Sequence, residues 1–443
     1  VLVVVLVANM LRLLSSLLLG IILSSSAFGQ DSYDWDPVRQ ILVNGITNQV
    51  YPGCVAMVSY QGEMVFSEGF GSFTYGHQPA PVTGTNPPMD VETSVFDVAS
   101  LSKVTMATTA VMQMYQRGEV DLDWLVIDNR LLGSAFDNNG KENITLRNLM
   151  LHNAGFPPDP DPGFSYVEFG CPETSNYHPA EVFTCRDMIY NAVMQQTLQY
   201  PTGSEYVYSD LSFITVMYIV GKVAQAHQHV DQADLRPDCV KGTDTDSDSI
   251  FQCYYEAYIN KYVLSPLDVS MGFLPPESEW ANLPPTWNDT TYRHEMLQGV
   301  VNDENAYAMG GVSGHAGLFA VTPDVMTLMH QLAFAQVSDP YVNSTTVKTF
   351  TTVENITQSS RALGWDTNNY IVHPNPSTRQ CGSLDSSTYM HTGWTGTQIC
   401  SDPVNNIITT LFTTRCYPER QNNGISGVRT NYNDAVVEVL LGK

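Results

Sequence analysis

Residues 96–104 read FDVASLSKV, and the meaning given to Ser100 and Lys103 decides what kind of protein this is. The two stand three positions apart, at the head of a run from Ser102 to Arg117. In that run Val104, Ala107, Thr108, Val111 and Met114 or Tyr115 recur at helical spacing before Gly118 ends it. The spacing predicts a strongly buried helix. If Ser100 lies at its first turn, hydroxyl and amine share one face, because residues three apart are neighbours on a helix. The unpaired N–H groups and partial positive charge of a helix N-terminus then favour an oxyanion beside Ser100. An apolar setting weakens a lysine's preference for the charged form, which makes Lys103 a candidate base. An isolated S-x-x-K has a plainer reading, an N-cap serine beside a lysine whose ammonium reaches solvent.

Working outward, Cys54 to Phe70 (CVAMVSYQGEMVFSEGF) reads as two strands joined at Gln61-Gly62. The middle is helix and loop: LRNLMLHNAGFP near residue 150, an Asp/Pro-rich loop from Pro157 to Cys171, and a helix from Leu211. The acidic stretch from Asp231 to Ser249 ends in DTDSDS. A calcium loop counted from Asp244 would need Gly where Ser249 stands and Glu where Tyr255 stands, so it reads as a solvated loop. Strand character returns after Ser387 in TYMHTGWTGTQIC and NNIITTLFTTRC, followed by a helix near Asn431 to Leu440. Strand-rich ends around a helical middle predict an α+β fold with one sheet built from both termini. The expected division is an α/β part at about 36–105 and 360–443, with a mostly helical part at about 106–359.

The eight cysteines fit four disulfides: Cys171–Cys185 and Cys239–Cys253 as local loops, Cys54–Cys416 if the first strand lies beside the last, and Cys381–Cys400 across antiparallel neighbours. None shows C-x-x-C spacing, so no metal site is expected. The four N-x-S/T sequons, at Asn143, Asn288, Asn343 and Asn355, are candidate glycan acceptors. Read from Met10, Arg12, the apolar LLSSLLLGIIL and the small residues Ala27 to Gly29 form a signal-peptide pattern covering residues 1–29. Residues 1–23 kept as an anchor are the alternative. Export is the expectation. A net charge of −25 argues against nucleic acid and against anionic membrane surfaces as partners, apart from a retained N-terminal anchor. Oligomeric state is left open.

Two further motifs accompany S-x-x-K. YVYSDLSF places Tyr208 and Asp210 at a helix entrance, and MHTGWTGT places His391, Thr392 and Gly393 on a C-terminal strand. In that order the three resemble the motifs of penicillin-binding proteins and of the class C β-lactamase-like serine hydrolases. The resemblance runs from Tyr33 to Lys443 and takes in LMLHNAGFP and NDENAYAMGGVSGHAGLF.

The resemblance implies a β-lactamase/transpeptidase-like fold and a serine hydrolase acting on an amide or ester, a small acyl or D-amino-acid-type peptide, without cofactor. A binding or trapping protein and a true β-lactamase are the alternatives. It assigns Ser100 as nucleophile, Lys103 as proton acceptor and Tyr208 as second acid/base group. The N–H groups of Ser100 and Trp394 would be the oxyanion hole, and Thr392 and Gly393 would contact substrate. Two positions depart from the pattern. Asp210 replaces Asn and should favour the charged lysine. His391 replaces the Lys of antibiotic-hydrolysing members, a fixed cation exchanged for a group titrating near about 6.5. His315 either lines the cleft or shapes a loop. Arg429 either anchors a substrate carboxylate or is a surface charge.

Overall fold

The computed structural model describes residues 33–443 apart from 77, 166, 172–184 and 241–245. The segment read as a signal peptide lies outside the described residues, as does Asp244. The first hairpin consists of β1 (Gly53–Tyr60) and β2 (Glu63–Gly71). Gln61 and Gly62 turn it with φ of 52° and 88°, the left-handed sense that matches strand twist. The other strands are β3 (Phe96–Asp97), β4 (Gly272–Phe273), β5 (Trp287–Asp289), β6 (Glu295–Leu297), β7 (Leu318–Ala320), β8 (Asp366–Thr367), β9 (Tyr389–Thr392), β10 (Gln398–Asp402) and β11 (Ile407–Thr413). The principal sheet has the order β2-β1-β11-β10-β9-β8 and is antiparallel throughout. Chain ends therefore meet in one sheet, as the strand-rich termini predicted. A small sheet, β3-β7-β4, joins the stretch before Ser100 to two strands of the middle region, and β5 pairs with β6.

The helices that matter for the site are α1 (Asp36–Thr47), α2 (Thr109–Gln116), α3 (Leu146–Met150), α4 (Asp210–Ala226), α5 (Phe251–Tyr258), α6 (Thr322–Ala333), α7 (Ser344–Thr351) and α8 (Ile425–Leu441). Alternation along β1 sends Cys54, Ala56 and Val58 to one side, where Val38 and Leu42 of α1 and Tyr432 and Val436 of α8 cover them. Val55 and Met57 face the other way and join the large core built from α2, α4, α5 and α6. A strand buried on both faces explains why β1 is apolar almost without interruption.

Three expectations need correction. The helix after Ser100 is not uniform: Lys103–Thr108 form a π-helical turn, and α-geometry begins at Thr109. Wide turns of this kind collect at functional sites, and periodicity does not distinguish them from α-helix. The last helix begins at Ile425, six residues before the sequence signal. Disulfides Cys171–Cys185, Cys239–Cys253 and Cys381–Cys400 are present, but Cys54 and Cys416 are free buried thiols. The strand neighbours were right and the register was not: Cys54 pairs with Thr413, and Cys416 lies three residues beyond it. Its Sγ–H donates to the carbonyl of Trp394 at 3.4 Å, while Cys54 faces the layer of α1 and α8.

Candidate active site

The nucleophile turn is fixed by Asp97, whose carboxylate accepts the N–H of Ala99 at 2.8 Å and that of Asn302 at 2.6 Å. Burial pushes this carboxyl up to about 6 against those hydrogen bonds. Ala99 adopts φ 49°, a left-handed conformation that costs about 1 kcal/mol in a residue with a Cβ and turns the chain into Ser100. From the other end of the chain, Thr395 Oγ1 donates to the Asp97 carbonyl at 2.7 Å and Thr397 Oγ1 to that of Val98 at 2.9 Å. Those bonds set the β9–β10 turn against Ser100. Gly393 is required there, because a Cβ would come within 2.4 Å of the Val98 carbonyl oxygen. The Trp394 carbonyl is held by Arg415 Nε at 2.6 Å, and the N–H groups of Ser100 and Trp394 have no hydrogen-bond partner among the described residues. Both residues line the same cleft, of about 630 Å³.

Lys103 is completely buried, and its Nζ lies 3.0 Å from Ser100 Oγ, 3.0 Å from the His315 carbonyl oxygen and 2.7 Å from Asp210 Oδ1. Burial acts to lower its pKa, but Asp210 and the Tyr208 side chain outweigh burial and hold the amine above its ordinary range. The apolar setting alone predicted a weakened charge; the carboxylate reverses that. Tyr208 presents its ring with the centroid 5.0 Å from Nζ. It is braced by His152, whose ring lies 4.6 Å away and whose Nδ1 accepts the Ser209 N–H at 3.1 Å. The LHNAG segment thus positions the Tyr-Ser-Asp triplet.

His391 faces the cleft from β9 as a neutral ring. Burial, Arg361 and Lys103 push its pKa well below 6.5. Its Nδ1 contacts the Thr392 carbonyl at 2.9 Å, and its Nε2 is 3.4 Å from Arg361 Nη1. Arg361 also donates to Tyr206 Oη at 3.0 Å and faces Asp366 at 3.3 Å. Sequence reasoning missed Arg361, Arg415 and Tyr206, which also line the cleft, because single arginines and tyrosines carry no motif. Arg429 is buried rather than a surface charge, and its Nη2 donates to the carbonyls of Gly393 and Thr397 at 2.9 and 2.8 Å. Burial, with Arg415 nearby, lowers its pKa to about 9. Asp210 reaches the site through Lys103.

His315 does not line the cleft. It is buried behind Lys103, with Nδ1 2.7 Å from Ser313 Oγ and Nε2 2.9 Å from Asp303 Oδ1. Asp210, Asp303 and His315 bring ligand-type atoms within 4.8 Å of one another and are where a metal ion would be held, yet the Lys103 ammonium already supplies the cation. Of the sequon residues, Asn143, Asn288 and Asn355 are exposed and Asn343 caps α7 through Thr346 N. A second cavity of about 620 Å³ lies under α6 and α7 at the far strand ends, remote from Ser100 and Lys103.

The Beta-lactamase family model matches residues 38–426. A protein of Escherichia coli O157:H7 named putative D-alanyl-D-alanine carboxypeptidase is 27% identical over 376 residues, covering 81% of this chain and 77% of its own. Among solved structures, EstCE1, described as a hydrolase with promiscuous acyltransferase activity, matches with a TM-score of 0.60 at 18% identity, over 90% of this chain and 97% of its own. A class C β-lactamase matches with a TM-score of 0.60 at 15% identity, over 90% and 97%.

Proposed function

The chain belongs to the beta-lactamase family of serine hydrolases, and from that premise we propose that it cleaves a small ester or amide through an acyl-enzyme on Ser100. The observation that carries this reading is Lys103 Nζ, buried and 3.0 Å from Ser100 Oγ, beside a cleft bordered by two unengaged amides. Oγ attacks the acyl carbon, its proton passes to Lys103 once the amine has given one up, and the Ser100 and Trp394 N–H groups hold the oxyanion. Removing one such donor costs about a hundred- to a thousandfold in turnover. Tyr208 passes a proton to the leaving group and then activates the water that frees Ser100.

The cleft is basic within a chain of net charge −25. Arg415 and Arg429 spend their hydrogen bonds on backbone carbonyls and have no carboxylate partner among the described residues. They favour a substrate with a free carboxylate, such as a peptide ending in D-Ala, in line with the name of the Escherichia coli relative. A neutral His391 in place of a fixed cation argues against β-lactams as the natural substrate.

The Lys103–Asp210 ion pair favours one second reading, a protein that is acylated and does not turn over. Hydrolysis of p-nitrophenyl esters and of a D-Ala-D-Ala peptide by wild type and Ser100→Ala, with mass spectrometry of quenched enzyme, tests both. Turnover lost in S100A together with an adduct on the Ser100 peptide supports the hydrolase. An adduct without turnover supports trapping, and turnover that survives S100A sinks both. Three disulfides and four sequons support a secreted glycoprotein, checked by the mass of the exported chain before and after deglycosylation.

A further inference from the structure

We propose, resting on the acyl-enzyme reading of Ser100, that Asp210 is the final acceptor of the nucleophile's proton, with Lys103 as the carrier between them. Three oxygens lie within 3.0 Å of Lys103 Nζ: Ser100 Oγ, the His315 carbonyl and Asp210 Oδ1. The ammonium donates to the first two and forms an ion pair with the third. It has no lone pair for the serine proton until it gives one up, and its side chain is 0% exposed. The acceptor in reach is Asp210, at 2.7 Å. Passing a proton from ammonium to carboxylate turns a buried ion pair into an amine and an acid with no change in net charge, and burial penalises both charges of the starting pair. The ion pair is the resting arrangement, and burial of both charges lowers the cost of passing the proton across it.

The steps balance. Lys103 Nζ gives a proton to Asp210 Oδ1 and becomes an amine. Its lone pair takes the Ser100 proton as Oγ bonds to the acyl carbon and the carbonyl electron pair moves to oxygen. When the intermediate collapses, the leaving group takes a proton from Tyr208, Tyr208 takes one from Lys103, and Lys103 is refilled from Asp210. The proton lost by Ser100 equals the one gained by the leaving group, and the ion pair is restored.

The surroundings hold this geometry. Asp210 opens the 17-residue helix α4, and its N–H donates to the Pro158 carbonyl at 2.8 Å. Asp303 and His315 stand within 4.8 Å of its carboxylate, Asp159 adds a further negative charge, and Tyr208 flanks the amine. His152 and His391 also feel the Lys103 charge, and both also face Arg361.

The test is kcat/KM against pH with p-nitrophenyl acetate for wild type, Asp210→Asn, Asp210→Glu and Ser100→Ala, each checked for folding by thermal melting. In the wild type the proposal expects a plateau through neutral pH with an acid limb. D210N should lose that limb, climb with pH as Lys103 gives its proton to solvent, and be at least about a hundredfold slower at pH 7. D210E should restore the limb. D210N equal to or faster than wild type at pH 7 overturns the proposal, as does a slowing that is uniform across pH. If D210N does not fold, the wild-type profile decides: a rate that climbs through the amine range shows that Lys103 must lose its proton to solvent, and the proposal fails. Hydrolysis that survives S100A instead rejects the acyl-enzyme reading beneath it.

Discussion

Lys103 and His391 show how neighbours set the charge of a buried base. Lys103 is held charged by a carboxylate at 2.7 Å despite complete burial, and His391 is held neutral by burial and by the cation Arg361. The consequence for stability has a definite sign. A histidine with a depressed folded pKa takes up its proton only on unfolding, so stability falls as pH drops through the unfolded value near about 6.5. His391 and His152, both well below it, should each cost roughly 0.8 kcal/mol at pH 6. Asp97, raised to about 6, is half protonated at pH 6 and offsets about 0.4 kcal/mol over the interval from pH 8 to 6, equally in wild type and variant. Urea unfolding of wild type and His391→Asn at those two pH values should show a smaller loss in the variant. An equal loss would mean that His391 is protonated in the folded protein. The sequence carried the identities of Ser100, Lys103, Tyr208 and His391. It carried the expectation that Asp210 favours the charged lysine, but not the neutral state of His391, because Arg361 reaches that ring from a segment 30 residues away.

At the scale of elements, the site depends on backbones that approach more closely than side chains allow. Helix α4 carries Asp210 at its first turn and packs against α5 through Gly221, where a Cβ would fall 1.8 Å from the Phe251 carbonyl oxygen. Gly221→Ala should therefore separate the two helices and destabilise the protein by about 3 kcal/mol. It should also lower kcat, because Asp210 and Tyr208 move with α4. A variant with wild-type urea midpoint and rate would show that the contact is not needed. The amphipathic and strand patterns gave the existence of α4, of the β1–β2 hairpin and of the C-terminal strands. They could not separate the π-turn at Lys103–Thr108 from α-helix, since both place apolar residues three and four apart.

For the whole molecule, joining both chain ends in one sheet brings Ser100 to the turn after β9, and it also settles the cysteines. Burial pushes the thiols of Cys54 and Cys416 up to about 12 and about 11, so both are protonated and unreactive in the folded protein. Without reductant, a thiol reagent such as Ellman's should find no reactive cysteine in the native protein and two after denaturation. None after denaturation would restore the fourth disulfide. The sequence by itself pointed to the fold class, the sheet made from two termini, three disulfides among its four candidate pairs and the motif residues of the cleft, though not to Tyr206, Arg361 or Arg415, because periodicity, turn residues and motif order are local signals. Tertiary structure alone decided how closely Asp210 approaches Lys103, that burial and Arg361 keep His391 neutral, that His315 supports the amine from behind and that Cys416 hydrogen-bonds to the Trp394 carbonyl. Those outcomes depend on distances of about 3 Å between segments remote in the chain, and a one-residue change of register or face, which local pattern does not encode, reverses them.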